Sequence, residues 1–299
     1  MEKQDLIEVL KNDYDRFSKG QKEIARYIIE NYDKAAFMTA GTLGKTVGIS
    51  ESTVVRFACA LGYEGYPQLQ KHLQELIKNK LTTVQRLNLM EGMDSTKIVD
   101  TVLKMDITNL KSTREELDVN LLDRVADTIV KARQIYVIGF RSSAPLAQFL
   151  VYYLSYIFDN PKLITIGTAD TFTQFVHANE DDVVIGIGFP RYSNQTMEGL
   201  RFAKGRGAFI VTITDNVTSP LYEIANISIV TKSDMNSFVD SFVAPLSIIN
   251  SLIIMIGLRK KESLLENFSI MEQVWKEKHI YARQEFEKRI DQMAGDGEE

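Results

Sequence analysis

In the first eighty residues the apolar positions recur every three or four places, at Ile7, Leu10 and Tyr14 and again at Ile24, Tyr27 and Ile28. That is the helical period, and no β-branched run interrupts it. Ser18 with Gln21 three residues on forms a capping box, which starts a helix expected to end near Asn31. Thr39 to Leu61 reads as a short helix with Leu43 and Val47, a turn at Gly48-Ile49-Ser50, and a second helix from Glu51 with Val54, Val55 and Phe57, closed by Gly62. Two short helices across such a turn, sharing Leu43, Val47, Ile49, Val54 and Val55 as a small core, have helix-turn-helix geometry.

The pattern then loosens. Residues 81–96 are a polar connection, with a hinge at Met90 to Thr96 around Gly92, after which Ile98, Val102, Met105 and Ile107 resume helical spacing. Leu117 to Ala132 is a further helix with Leu121, Leu122, Val125, Ala126 and Ile129 as its buried stripe. From Ile135 continuous apolar runs take over, at 135–139, 163–166, 183–187, 209–213 and 227–230. Helical segments at 144–158, 194–206, around 220–225 and at 239–259 alternate with them. Strands alternating with crossover helices predict an α/β doubly wound parallel five-stranded sheet, with ligands at the carboxyl ends of the strands. The expected organisation is an all-α helix-turn-helix domain over 1–80, a linker over 81–96 and the α/β domain over 97–299. Leu264 to Ile290, with Phe268, Met271, Val274, Trp275, Ile280 and Phe286, reads as an amphipathic helical region that packs on the sheet or on a second subunit, and the acidic tail Asp296 to Glu299 as disordered.

Composition narrows this little further. The chain has 299 residues, 44% apolar and 25% charged, enough for two soluble domains. Its one cysteine, Cys59, excludes a disulfide framework, fits a reducing compartment, and reads as a small buried residue rather than a reactive thiol. The N-terminus is acidic and polar, so no export signal is expected. Phe242 to Leu258 runs 17 residues without a charge, but Pro245, Ser247, Asn250 and Ser251 interrupt it, so it reads as a helix buried under the sheet rather than a membrane span. The net charge of −5 argues against a basic coat without excluding a local nucleic-acid face.

The chemistry concentrates in two places. The second helix of the turn motif starts with Ser50, Glu51, Ser52 and Thr53 and then presents Arg56 outward. Short hydroxyls suit phosphates and base edges in a major groove, and an Arg can bond guanine bidentately. Lys45, Lys71 and His72 are candidates to flank the groove at phosphates. A plain helical bundle remains open on composition, since residues 1–80 hold twelve Lys/Arg against eleven Asp/Glu. The run Gly48-Ile49-Ser50-Glu51-Ser52-Thr53-Val54-Val55-Arg56-Phe57, followed by Leu61-Gly62-Tyr63-Glu64-Gly65-Tyr66 and Leu69, resembles the helix-turn-helix signature of the RpiR-type bacterial transcriptional regulators, with their Arg-Phe pair and following Leu-Gly-Tyr.

The second place is a pair of strand-to-helix junctions. Ile135-Tyr136-Val137-Ile138-Gly139-Phe140-Arg141-Ser142-Ser143 and Val183-Val184-Ile185-Gly186-Ile187-Gly188-Phe189-Pro190-Arg191-Tyr192-Ser193-Asn194-Gln195-Thr196 both run through glycine into hydroxyl residues at a helix start. Helix N-termini leave unpaired N–H groups and favour negative charge, so the two ends converging on one anion are expected to form a phosphate site; twin helix caps are the alternative. Both junctions resemble motifs of the sugar isomerase (SIS) phosphosugar-binding domain, with Ser193-Asn194-Gln195-Thr196 where that family has Ser-Gly-x-Thr, and with Asn194 replacing the glycine. Phe189-Pro190-Arg191-Tyr192 is similar to RpiR-type regulators rather than to SIS enzymes, and Thr212-Ile213-Thr214-Asp215 with Ser219-Pro220-Leu221 is also like the family. The resemblance implies that Ser142, Ser143, Ser193 and Thr196 hold a phosphate, with Arg191 a weaker candidate.

A dinucleotide fold would want three spaced glycines after the first strand; Gly139 stands alone there, so that reading is rejected. No metal-ligand spacing exists among His72, His177 and His279, and no cofactor is expected. The resemblance implies a cytoplasmic, homodimeric or homotetrameric transcription factor, bound to double-stranded operator DNA, controlled by a phosphorylated sugar and without a membrane partner. A phosphosugar isomerase with an accessory helical domain is the alternative. It would need an acid/base, for which Glu198 and His177 are the nominees, although they read as a solvated helix residue and a loop residue.

Overall fold

The computed structural model describes residues 6–77, 82–88, 94–167, 170–234 and 237–281. The hinge expected at Gly92, Phe286 and the acidic tail Asp296 to Glu299 lie outside the described residues. The chain divides into two compact units, 1–101 with 235–240, and 102–234 with 241–299.

The first unit is helical: α1 (Leu6–Asn12), α2 (Lys19–Glu30), α3 (Tyr32–Ala35), α4 (Ala40–Val47), α5 (Glu51–Ala60), α6 (Tyr66–Ile77) and α7 (Thr83–Asn88). Gln21 Oε1 accepts from the Ser18 N–H at 2.9 Å, and α2 ends against Asn31, as the spacing predicts. Leu10, Ile24, Ile28, Leu43, Val54, Phe57, Leu69 and Leu73 form its fully buried core. Val55 departs from expectation: it is exposed rather than part of that core. Adjacent helical positions lie about 100° apart, so burying Val54 turns Val55 away, and the aromatic Phe57 fills the interior instead.

α8 (Ser95–Glu116) spans the boundary between the two units. The second unit continues with α9 (Val119–Lys131), β1 (Ile135–Ile138), α10 (Ala144–Ile157), β2 (Pro161–Ile164), β3 (Val183–Ile187), α11 (Asn194–Gly205), β4 (Phe209–Thr214), α12 (Pro220–Ile224), β5 (Ile227–Val230), α13 (Val243–Arg259) and α14 (Lys261–Glu277). All pairings in the five-stranded sheet are parallel, in the order β2-β1-β3-β4-β5. α9, α10 and α13 cover one face through Ile129, Leu150, Ile249 and Leu252, while α11 and α12 cover the other through Leu200, Ala203 and Leu221. Phe242 to Leu258 thus forms the helix its interruptions predicted, buried against the sheet along Ala244, Ile248, Ile249, Leu252 and Ile256, while Ile254 and Leu258 on its other side are exposed.

β2 lies two residues earlier than the apolar run 163–166 suggests, because its pairing with β1 ends at Ile138↔Ile164 and leaves Ile166 exposed. A 3-10 turn, Arg141–Ser143, separates β1 from α10.

Candidate functional site

In the first unit the candidate site is the α4–turn–α5 pair. Thr39 caps α4 by accepting from the Thr42 N–H at 3.1 Å, and Gly48 ends it in the left-handed region at φ 72°. The Ile49 N–H then donates to Gly44 O at 2.8 Å, and a Cβ at Gly44 would stand 2.5 Å from Ile49 O. Gly44 therefore permits the close approach of turn to helix, and a glycine in the middle of a short helix before Gly48 was the sequence signal for it.

Ser52, Val55, Arg56 and Cys59 are all exposed, at the i, i+3, i+4, i+7 spacing of one helix face. Ser50 Oγ meets Ser52 Oγ at 3.0 Å and Thr53 Oγ1 at 2.9 Å, and Arg56 donates to Thr53 Oγ1 at 3.2 Å. A chain of hydroxyls thus leads to the guanidinium. Val55 and Cys59, both read from the sequence as buried, lie instead on this exposed face, one and two helical turns beyond Ser52. Lys45 and Lys71 are exposed. The Glu51 carboxylate lies against Gly41 of α4, whereas half-buried His72 is engaged through Nδ1 with the Tyr63 hydroxyl.

In the second unit the predicted junctions leave neighbouring strands. β1 and β3 pair with Ile138 opposite Gly186, and the order of strands reverses between them, so their carboxyl ends flank the crevice where ligands enter such sheets. A Cβ at Gly139 would stand 3.1 Å from Ser143 O and 3.2 Å from Ile187 O, which holds the two loops close. A Cβ at Gly199 would meet Ile138 Cδ1 at 2.7 Å and Thr171 Cγ2 at 2.8 Å, so this glycine, which sequence reasoning did not single out, lets α11 lie tight on β1.

The hydroxyls at these junctions do not do what capping would require. Neither Ser143 at the start of α10 nor Ser193 at the start of α11 makes a side-chain cap hydrogen bond. Thr196, inside the first turn of α11, is 1% exposed and its Oγ1 has no hydrogen-bond partner. A buried hydroxyl without a partner is costly and rare. Ser142 and Arg191 are exposed, Ser193 is half-buried and Ser143 is buried. Arg141 adopts φ 58°, a left-handed conformation uncommon for a residue other than glycine and enriched at functional sites.

The loop before α11 is tied down from the far side. Tyr192 donates its hydroxyl to Asp215 Oδ1 at 2.5 Å, and Asn216 Nδ2 donates to the other carboxylate oxygen at 2.6 Å. Burial, then the Asp215 charge, pushes the Tyr192 phenol well above its ordinary range, so it stays protonated and donating. Asp215 itself is buried at the end of β4. Sequence reasoning noted both segments but not their pairing. Beside the first turns of α11 a recess of about 330 Å³ is lined by Ile166, Asp170, Thr171, Phe172, Gln195 and Glu198. Hydrogen bonds from the Thr173 N–H and then its hydroxyl hold the Asp170 carboxyl below the usual range, so the recess is acidic. Glu198 is exposed on α11, as its reading as a solvated helix residue expects, and also lines this recess, while His177 is exposed. Among the described residues no group of His, Cys, Asp and Glu is placed to hold a metal ion, and no single helix is long and apolar enough to cross a membrane.

Comparison with known proteins agrees with both halves. The helix-turn-helix domain of the rpiR family matches residues 4–80 and the SIS domain matches 128–255. An uncharacterized HTH-type transcriptional regulator of Caldanaerobacter subterraneus is 24% identical over 89% of this chain and 96% of its own length. The HTH-type transcriptional regulator HexR of Escherichia coli is 22% identical over 91% and 94%. Among solved structures, the Vibrio vulnificus NanR protein complexed with ManNAc-6P shares the fold at a TM-score of 0.56, 21% identity, and 90% of this chain and 99% of that one.

Proposed function

We propose, for a chain that belongs to the RpiR-type transcriptional regulators with a SIS domain behind their helix-turn-helix, that a phosphorylated sugar bound between β1 and β3 controls its hold on operator DNA. The observation that carries this is the orphaned Thr196 hydroxyl, buried at a helix N-terminus, together with serines that make no side-chain capping bond at the starts of the two helices that follow the neighbouring strands β1 and β3. A phosphate seated there accepts from Thr196, Ser193, Ser142 and Ser143 together with the free N–H groups of α11, and exposed Arg191 closes over it. The recess beside α11 takes the sugar, with Gln195 and Glu198 toward its hydroxyls. A fold neighbour, NanR, carries a phosphorylated amino sugar, which fits the same class of effector.

On the DNA side, α5 enters the major groove. Ser52 and Arg56 read base edges, Val55 meets a thymine methyl, and Ser50, Thr53 and Lys45 lie toward phosphates. Glu51 accepts from a cytosine amine or stays against Gly41. In this reading residues 1–80 read the operator, 81–96 connect, and 97–299 sense the effector. Two copies, as a homodimer or a pair of dimers, read half-sites about one DNA turn apart, and the protein works in the cytoplasm. The curated relatives are named as regulators rather than isomerases, which favours this over turnover of the sugar.

A panel of sugar phosphates in a thermal-shift screen, followed by operator gel shifts, tests it. A ligand at about one hundred times its Kd stabilises by roughly 2.7 kcal/mol and shifts operator affinity. In Ser142→Ala with Ser193→Ala the response disappears while DNA binding remains, since each lost bond to a charged group is worth about 1.5–3 kcal/mol. Wild-type effector affinity in that double variant overturns the site.

A further inference from the structure

Two of the side chains that line the recess beside α11, Asp170 and Glu198, are acids, and among the described residues lining it none is a Lys, Arg or His. Asp170 is held in place and ionised by Thr173, whose N–H donates to it at 2.8 Å and whose hydroxyl donates at 2.7 Å. Exposed Glu198 has no hydrogen bond or ion pair to any described residue, not even to Arg201 three residues on. The recess also has an aromatic wall: Phe172, 42% exposed, is braced edge-on against Phe202 with ring centroids 5.4 Å apart. At about 330 Å³ the recess is at the small end of ligand pockets, a size suited to one sugar ring.

We infer that the effector is a phosphorylated monosaccharide with a free amine, whose ammonium group pairs with Asp170 and Glu198 while its ring lies on Phe172. This rests on the phosphosugar reading above and adds the charge of the sugar to it. Gln195 and Glu198 lie in the same turns of α11 as the orphaned Thr196 hydroxyl. At 1.5 Å per residue, Glu198 stands about 7.5 Å along the axis from Ser193, a span that a phosphorylated hexose bridges. The start of α11 favours an anion and the recess favours a cation, so a ligand with a phosphate at one end and an ammonium at the other has a single matched orientation.

Charge separates this ligand from its neutral and acidic counterparts. An ammonium offers three donors to an ionised pair that can only accept, and an aromatic face beside the acids adds cation–π attraction. A neutral hydroxy sugar covers the two carboxylates without compensating either, which costs desolvation. An N-acetyl group removes the charge in the same way and adds bulk, and a sugar acid brings a third carboxylate against the first two.

Isothermal titration of the full chain tests the proposal at about pH 6.5, below the range of about 7.7–8.0 for an amine of the α-amino type. The probes are 2-amino-2-deoxyhexose 6-phosphates of the gluco, galacto and manno series, their hydroxy and N-acetyl counterparts, and 6-phosphogluconate. Within the series that binds best, the amine binds about tenfold or more tightly than its neutral counterparts, and the sugar acid binds most weakly. In Glu198→Gln the ratio of amine to hydroxy sugar falls toward one. Asp170→Asn, which keeps an acceptor for the Thr173 N–H, lowers the ratio as well, and the melting temperature of each ligand-free variant shows that it is folded. Amine and hydroxy sugars bound alike, a preference for the acid, or a preference that survives both substitutions together overturns the inference. Binding without preference strikes the amine alone, whereas no binding by any of these sugars or by inorganic phosphate strikes the phosphosugar site and the amine with it.

Discussion

Thr196→Val separates stability from binding at the proposed phosphate site. The substitution keeps the β-branched shape and removes one hydroxyl that is buried and has no hydrogen-bond partner. An unsatisfied buried polar group costs about 1–3 kcal/mol, so its removal stabilises the ligand-free protein by that order. At about 2 °C of melting temperature per kcal/mol for a chain of this size, the variant melts roughly 2–6 °C higher. With ligand the sign reverses. A hydrogen bond to a charged phosphate is worth about 1.5–3 kcal/mol, which is a loss of roughly 10- to 150-fold in affinity. Differential scanning calorimetry of the free protein and isothermal titration with inorganic phosphate and a responsive sugar phosphate read both quantities. A free protein destabilised by the substitution would mean that Thr196 already has a partner in solution, and unchanged ligand affinity would remove it from the site. Either result refutes the reasoning, because both effects follow from the same orphaned oxygen.

Arg56→Ala weakens operator binding by roughly 1–3 kcal/mol and relaxes preference at one base pair if it reads a guanine, or lowers the salt slope by about one if it meets a phosphate; gel shifts across operator variants and salt concentrations distinguish these, and unchanged affinity removes α5 from the groove. Gly44→Ala places a methyl 2.5 Å from Ile49 O, so the first unit loses on the order of 1–3 kcal/mol, seen as a lower first melting transition, with phosphate binding in the second unit intact. Tyr192→Phe leaves buried Asp215 short of one donor, costing about 1–3 kcal/mol, and loosens the loop that carries Ser193; phosphate affinity falls while operator affinity without effector stays, and restoration of the loop by Asp215→Asn with Tyr192→Phe would show the charge, not the contact, to be the cause of any loss.

Local physics made much of this protein legible before any coordinates. The Ser18–Gln21 box, the Thr39 and Gly48 limits of α4 and the apolar runs that became β1, β3, β4 and β5 depend on residues within a few places of one another, so their spacing determines them. The two strand-to-helix junctions were legible for the same reason, as glycine followed by hydroxyls at a helix start. β2 was displaced because its extent is set by the partner strand: pairing stops at Ile164, and Ile166 is left outside. Val55 turned outward because Val54 was the neighbour that the α2 and α4 contacts could bury. Tertiary structure alone decided that β1 lies beside β3, that Gly44 and Gly199 sit where a Cβ would collide, that Tyr192 reaches Asp215, and that Thr196 is sealed in with nothing to bond. These depend on contacts between segments tens of residues apart, and no period or cap within one segment carries that information. Sequence supplied the hydroxyls; only packing revealed which of them capping leaves uncommitted.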